Sequence, residues 1–200
     1  MKKILGFKLK SYNFFLIIMM AVINILLCNI ALYLNANHVP IPFWLDSIGT
    51  FIAAIEAGPI AGALTGLPVY GIYIFTRPDW ALFSLNSILI GITVGIMART
   101  IGLTNWKNVV LAGMAAALID IVLSSFLDQR LYGGYLDSEL GDRVFKALIQ
   151  SNPMILASLT AEAVMSIPDK VVSALLAFMI CSSYDKKGQK NRINTNSTAE

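Results

Sequence analysis

The sequence predicts an all-α integral membrane protein, a compact bundle of six transmembrane helices. Of the 200 residues, 56% are hydrophobic and only 14% are charged, and the mean hydropathy is +0.69. Soluble domains carry about a quarter charged residues. Long apolar runs also recur along most of the chain. A chain of this length is enough for one bundle, and we expect a single compact unit.

Residues 12–34 form the first predicted helix. It follows four basic residues, Lys2, Lys3, Lys8 and Lys10. A secretory signal peptide is the alternative interpretation, but the apolar run is longer than a signal core and no small-x-small cleavage site follows it. We therefore expect a retained helix, preceded by a basic cytoplasmic segment at residues 1–11.

Five further helices are predicted, at residues 45–57, 59–75, 82–103, 105–127 and 154–183. The first two are separated at Gly58-Pro59, because proline cannot continue the preceding helix. The first of this pair is short for a span of about 20 residues, so we expect it to be tilted or sheltered by protein. The transmembrane domain is predicted at 12–184, and the polar tail 185–200 is predicted to be cytoplasmic and disordered.

The distribution of positive charge predicts the orientation. If six segments alternate with both termini inside, ten Lys and Arg side chains lie on the inner side and four on the outer side. The outer four are Arg77, Arg130, Arg143 and Lys146. This bias follows the positive-inside rule, so both termini are expected in the cytoplasm of a multi-pass cell-membrane protein. The net charge of +3 therefore does not require a nucleic-acid partner.

Three glycines recur at intervals of four residues: Gly58, Gly62 and Gly66. At helical spacing they lie one turn apart, on one face, where small residues allow another helix to approach closely. We interpret them as helix-packing residues.

The stretch that carries these glycines resembles a known family. "WLDSIGTFIAAIEAGPIAGALTG", residues 44–66, is similar to the second and third helices of the substrate-binding S components of energy-coupling factor (ECF) transporters. "SIPDKVVSALLAFMI", residues 166–180, resembles the Pro-Asp-Lys turn and apolar finish of the last helix in many of them. The resemblance covers about residues 12–184.

The resemblance implies a division of labour. An S component captures a vitamin-like solute on the outer side, and a separate membrane subunit with two ATPase subunits drives its release inside. ATP is then bound by the partners, and this sequence contains no G-x-x-x-x-G-K-[ST] phosphate loop. Family members dock through small residues on the first helix. The Ala-x-x-x-Ala motif is not reproduced here, and the stripe expected to replace it is Ala21, Asn24, Cys28 and Ala31.

Polar residues within the apolar segments are the candidate solute-binding groups. Ionisable groups inside a membrane are costly and usually face the bundle interior or a wet cavity. Asp120 and Ser124 share one helix face, and Glu162 and Ser158 share another at a similar depth. The two carboxylates suit a solute with N–H donors or a positive charge. The alternative is a helix-to-helix hydrogen bond. Asn86 is a further pocket candidate.

Outer loops supply the remaining binding candidates. Trp44 and Trp80 could stack on a planar heterocycle, and Asn152 could close over the site. The alternative for each aromatic residue is the interfacial belt of Trp and Tyr at headgroup level. A short helix is expected from Ser138 within the long connection 128–153.

Pro168, Asp169 and Lys170 are interpreted as structural or conformational residues. A proline inside a helix frees backbone carbonyls that neighbouring groups must satisfy. Asp169 and Lys170 point about 100° apart on a helix, so they need not pair.

Other chemistry has little support in the sequence. One histidine and two cysteines predict neither a metal site nor an enzyme. A solute-binding transporter subunit is the expected function. The alternative is a membrane sensor or regulatory module, or a solitary carrier, that binds a similar ligand.

Overall fold

The computed structural model describes the backbone of residues 11–39 and 41–197 and the side chains of residues 14–39 and 41–183. All regular secondary structure in these ranges is helical. The helices are α1 (Ser11–Ala36), α2 (Ile48–Ala57), α3 (Pro59–Leu64), α4 (Gly66–Thr76), α5 (Pro78–Ala81), α6 (Ser84–Thr100), α7 (Trp106–Leu131), α8 (Glu139–Ile149) and α9 (Met154–Ser197). The basic segment predicted at 1–11 lies almost wholly outside the described residues.

Five stretches of the described chain are long and apolar enough to cross a membrane: Phe14–Ala36, Pro59–Thr76, Pro78–Thr100, Trp106–Leu131 and Met154–Ser183. They indicate a multi-pass membrane protein, as the composition predicts. The sequence predicts six such segments, but α2 has only 10 residues and cannot span a bilayer by itself. The predicted span 82–103 also begins earlier, at Pro78, with the short helix α5.

The segment 41–47, just before α2, has no regular structure and is partly buried against α9. The backbone N–H groups of Trp44 and Leu45 donate to Asp169 Oδ1 on α9, at 3.1 and 2.8 Å. The first seven residues of α2, from Ile48 to Ala54, are all buried. Non-helical backbone at membrane depth is tolerated where protein surrounds it and supplies its hydrogen bonds. The short predicted helix is therefore sheltered by protein, one of the two arrangements expected for it.

The predicted break between α2 and α3 occurs at Gly58. This residue has φ +95°, a conformation that L side chains rarely adopt, and its N–H donates to Ala54 O at 3.0 Å. Pro59 then occupies the first turn of α3, where its missing N–H needs no intrahelical partner. Glycine and proline together end one helix and begin the next without a linker.

Gly62 of α3 and Gly66 of α4 face α6, at a very close approach of the backbones. A Cβ atom added to Gly91 would lie 2.2 Å from the carbonyl carbon of Gly62. One added to Gly62 would lie 2.8 Å from Ala54 Cβ, and one added to Gly66 would lie 2.6 Å from Ile88 Cγ1. Only residues without side chains fit at the Gly62–Gly91 crossing. The partner helix, which the spacing alone does not identify, is α6.

A chain of buried hydrogen bonds joins α1 to α2 and to the α3–α4 junction. Asn24 Nδ2 donates to Thr50 Oγ1 at 2.9 Å, and Asn24 Oδ1 accepts from the Gly49 N–H at 2.7 Å. Thr50 Oγ1 lies 2.9 Å from Thr65 Oγ1, which donates to Gly62 O at 2.6 Å. Each polar group has a partner, so the network is compatible with its burial.

The polar stripe of α1 faces this interior. Ala21, Asn24, Cys28 and Ala31 are exposed by only 0, 2, 5 and 1%. Their contacts are with the chain's own helices, and none of these side chains is accessible to a second membrane subunit. In this structure the stripe serves internal helix packing, and the docking role expected for it stays a prediction.

Helices α7 and α9 pack closely along the centre of the bundle. A Cβ atom on Gly113 would lie 2.9 Å from Val171 Cα, so a small residue is needed at this crossing. The helix α9 contains Pro168 and continues to Ser197. It therefore includes most of the tail 185–200, which the composition predicts to be disordered. A helical backbone in the structure does not measure the motion of the tail, so the disorder stays a prediction.

Candidate functional site

A cleft opens between α1, α4, α6, α7 and α9. The space that the centre of a water-sized sphere can reach within it is about 80 Å³. The cleft therefore has room for several water-sized groups, which is the scale of a small solute.

Six of the eight sequence-predicted binding residues line this cleft: Trp44, Trp80, Asn86, Asp120, Ser124 and Glu162. The other two lie elsewhere. Ser158 is fully buried and donates to Ser125 O at 3.4 Å, and Asn152 donates to Leu148 O at 3.0 Å. Their hydroxyl and amide groups serve the helix backbone. The structure thus brings together residues from four separate parts of the sequence.

Aromatic rings surround the mouth of the cleft. Trp44 and Trp80 are in edge-to-face contact with centroids 5.7 Å apart, and the Arg77 guanidinium lies 4.9 Å from the Trp80 ring. Phe83 and Tyr132 are stacked, with centroids 6.3 Å apart and an interplanar angle of 20°. The rings thus form two separate pairs, and each pair joins two distant parts of the sequence, an arrangement that an interfacial belt alone does not require.

The hydroxyl of Tyr132 helps to fix this mouth. It donates to Asp79 Oδ2 at 2.7 Å. Burial and the neighbouring Asp79 carboxylate raise the pKa of Tyr132, so the hydroxyl keeps its proton and continues to donate. The bond connects the end of α7 to the short helix α5.

The Asp120 carboxylate, deeper in the cleft, is already fully engaged. Its Oδ1 accepts from Asn86 Nδ2 at 2.6 Å. Its Oδ2 accepts from Ser166 Oγ at 2.9 Å and lies 3.2 Å from Lys170 Nζ. Such a carboxylate has a counter-ion and hydrogen bonds before any solute enters.

Lys170 joins three carboxylates from different parts of the chain. Its Nζ lies 2.7 Å from Asp169 Oδ2, 2.8 Å from Asp46 Oδ1 and 3.2 Å from Asp120 Oδ2, and the residue is 1% exposed. We expected that Asp169 and Lys170 need not pair, but the long lysine side chain turns back to its neighbour. This geometry agrees with a structural interpretation of both residues. Asp169 and Lys170 lie on α9 and contact segment 41–47, and Lys170 also contacts Asp120 on α7.

Asp128 is the main site residue that sequence reasoning missed. The prediction ended the fifth helix at residue 127 and assigned Asp128 to an outer loop, whereas α7 continues to Leu131. The side chain of Asp128 is 2% exposed and lines the cleft beside Glu162. A usable signal was present, because Asp120, Ser124 and Asp128 are spaced by four and share one helix face.

The described lining is rich in carboxyl groups. It includes five carboxyl groups, from Asp46, Asp120, Asp128, Asp137 and Glu162, against one cationic side chain, that of Lys170.

Comparisons with protein-family models, with curated proteins and with solved structures find no match to this chain. The chemistry of the cleft is therefore judged from its own residues.

Proposed function

We propose that this protein is the substrate-binding S component of an ECF-type importer. In this proposal the cleft captures a small, water-soluble, vitamin-like or heterocyclic solute on the outer side of the cell membrane. The observation that carries the proposal is a cleft inside an apolar helical bundle that is lined by aromatic rings and by carboxyl groups. Buried ionisable groups in a membrane bundle are costly and are typical of a solute or ion pathway.

A six-crossing topology is part of the proposal, with α2 and the segment before it forming the sixth crossing. The 10 residues of α2 extend about 15 Å at 1.5 Å per residue. Segment 41–47 can reach about 20 Å at roughly 3.3 Å per residue. Together they exceed the hydrocarbon thickness of about 30 Å. An even number of crossings returns both termini to the cytoplasm.

The orientation can be tested by cysteine labelling. A membrane-impermeant maleimide added outside intact cells should label Arg143→Cys, because this exposed position of α8 lies on the predicted outer side. It should label Gly188→Cys only after the membrane is opened. Cys28 and Cys181 are buried and should give little background. The opposite labelling pattern would reverse the orientation and place the cleft on the inner side.

The partners in this proposal are an energising membrane subunit and two ATPase subunits. The chain supplies binding, and the partners supply ATP hydrolysis. The side chains of α1 that remain for a partner or for lipid are large and apolar, such as Phe15, Leu26 and Ile30 at 64, 57 and 55% exposed. Among the α1 side chains from Phe14 onward, no stripe of small residues is exposed, which is the observation that favours the second candidate, a solitary carrier.

Purification from the native membrane distinguishes the two candidates. Under the importer proposal, a tagged chain should co-purify with a second membrane protein and two ATPases, and uptake in vesicles should require ATP. A Walker-lysine variant of the co-purified ATPases is the control, and it should abolish uptake. A chain that purifies alone and transports its solute without ATP would establish the carrier instead.

A further inference from the structure

We infer that Asp128, Glu162 and Asn86 form a subsite for a cationic N–H donor group, an ammonium or amidinium carried on a flat ring. This inference rests on the proposed function, since it names the chemical class of solute that the cleft takes. It assigns Asp120 to a different task, holding Lys170 and the helices together.

The cationic side chain of the lining, Lys170, is engaged by other carboxylates than those of the subsite. Lys170 contacts Asp46, Asp120 and Asp169, so it already compensates more than one carboxylate. Asp128 and Glu162 are adjacent to each other, and within the described residues no Lys, Arg or His forms an ion pair with either. Two neighbouring carboxyl groups in a low-dielectric site either share a proton or take a positive charge beside them, and a cationic N–H donor can take the place of the shared proton.

Two buried acceptor atoms of residues that line the cleft lack hydrogen-bond donors. Asn86 Oδ1 and Asp128 Oδ2 have no hydrogen-bond partner in the part of the chain that the structure describes, although these residues are only 5 and 2% exposed. Both line the cleft. Buried polar atoms are usually paired, so two unpaired acceptors in one cavity point to a ligand that brings donors.

The hydrogen bonds of Asn86 fix which of its atoms is free. Its Nδ2 donates to Asp120 Oδ1 at 2.6 Å and to Ser124 Oγ at 2.8 Å. The amide nitrogen is thus occupied and the carbonyl oxygen is left available. Asp120 therefore orients Asn86 and does not need to contact the solute.

Glu162 has acceptor capacity to spare. Its Oε2 lies 3.0 Å from Ser166 Oγ, but that hydroxyl is also 2.9 Å from Asp120 Oδ2 and has a single proton to donate. At any moment one of these two carboxylates lacks that bond. An amidinium or ammonium can fill several acceptors at once, and an amidinium matches a carboxylate with two parallel N–H bonds.

The flat ring follows from the mouth of the cleft. Trp80, Phe83 and Tyr132 all line it together with the acidic groups. Aromatic faces attract both planar rings and cations. Asp128 lies one helical turn before Tyr132, so a solute whose ring contacts the aromatic residues can direct its N–H groups toward Asp128.

The test uses small probes on the full chain in lipid nanodiscs. Benzamidine carries a flat ring and an amidinium, benzamide is its neutral counterpart, and benzoate is its anionic one. Binding is followed by calorimetry and by quenching of tryptophan fluorescence. We expect benzamidine to bind at least 10-fold more tightly than benzamide, and benzoate not to bind. Phenyltrimethylammonium, which has the charge without N–H donors, should fall between benzamidine and benzamide.

Variants locate the subsite. Asp128→Asn should weaken benzamidine binding about 30-fold, the loss expected for a hydrogen bond to a charged group. Glu162→Gln should weaken it similarly. Glu56→Gln is the matched control, because Glu56 is an exposed side chain remote from the cleft, and it should leave binding unchanged.

Three results would overturn the inference: equal binding of benzamidine, benzamide and benzoate, no saturable benzamidine binding at millimolar concentration, or full affinity in Asp128→Asn. If that variant does not fold, the comparison of probes on the unaltered chain still decides. Failure here, alongside co-purification and ATP-dependent uptake, would reject only the cationic solute class. Failure of co-purification with intact benzamidine selectivity would reject only the importer assignment.

Discussion

Replacing Lys170 with Met is expected to lower the free energy of unfolding by about 3–5 kcal/mol, the cost of removing one partner from a buried ion pair. Lys170 is 1% exposed and lies within 3.2 Å of three carboxylates. Methionine fills much of the same volume but leaves the carboxylates without their shared counter-ion. The loss should appear as a lower midpoint in thermal unfolding of the detergent-solubilised protein.

Lys107→Met is the control for this experiment, because Lys107 is an exposed lysine at the start of α7. It should leave the midpoint nearly unchanged. A double variant, Lys170→Met with Asp120→Asn, should recover part of the loss, because it leaves fewer uncompensated charges. An unchanged midpoint in Lys170→Met would show that the cluster does not stabilise the bundle.

Replacing Gly62 with Leu should have the second large effect. A Cβ atom there would already lie 2.9 Å from Gly91 Cα and 2.8 Å from Ala54 Cβ, and leucine adds three more carbons. Overpacking a close contact typically costs about 1–3 kcal/mol, and here backbone must move to make room. We expect poor yield of folded monomer by size-exclusion chromatography and a lower unfolding midpoint.

Gly71→Leu supplies a matched control within the same span. A Cβ atom on Gly71 meets nothing within 4 Å, and the position is exposed on the bundle surface. This variant should behave like the unaltered chain. Normal yield and stability of Gly62→Leu would mean that α3 and α6 separate at little cost and that the glycine crossing is incidental.

The helices could largely be predicted from sequence, because a membrane helix satisfies its own backbone and must be apolar along its length. The break at Gly58-Pro59 follows from local chemistry, and so does the start of α8 after Ser138, whose side chain accepts from the Gly141 N–H. The end of α7 could not be placed in this way. The sequence alone assigns Asp128 to a loop, because its burial depends on the position of α9.

The candidate site was predictable in part. Depth and helical spacing are enough to direct Asp120, Ser124 and Glu162 toward one interior, since charged groups avoid lipid. The pairing of Asp120 with Lys170 depends on how α7 and α9 cross, and the periodicity of one helix contains no information about its neighbour. For the same reason the sequence could not show that the α1 stripe faces inward. Asn24 contacts α2 only because that short helix lies inside the bundle.

The most direct test of a solute-binding role is native mass spectrometry of the full chain released from its own membranes. We expect a fraction of the protein to carry a small-molecule adduct, which tandem dissociation should release as a cation. The adduct should be lost in Asp128→Asn and kept in Glu56→Gln. Only bare chain in every sample, or an adduct equally retained by Asp128→Asn, would contradict the assignment of this cleft as a solute-binding site.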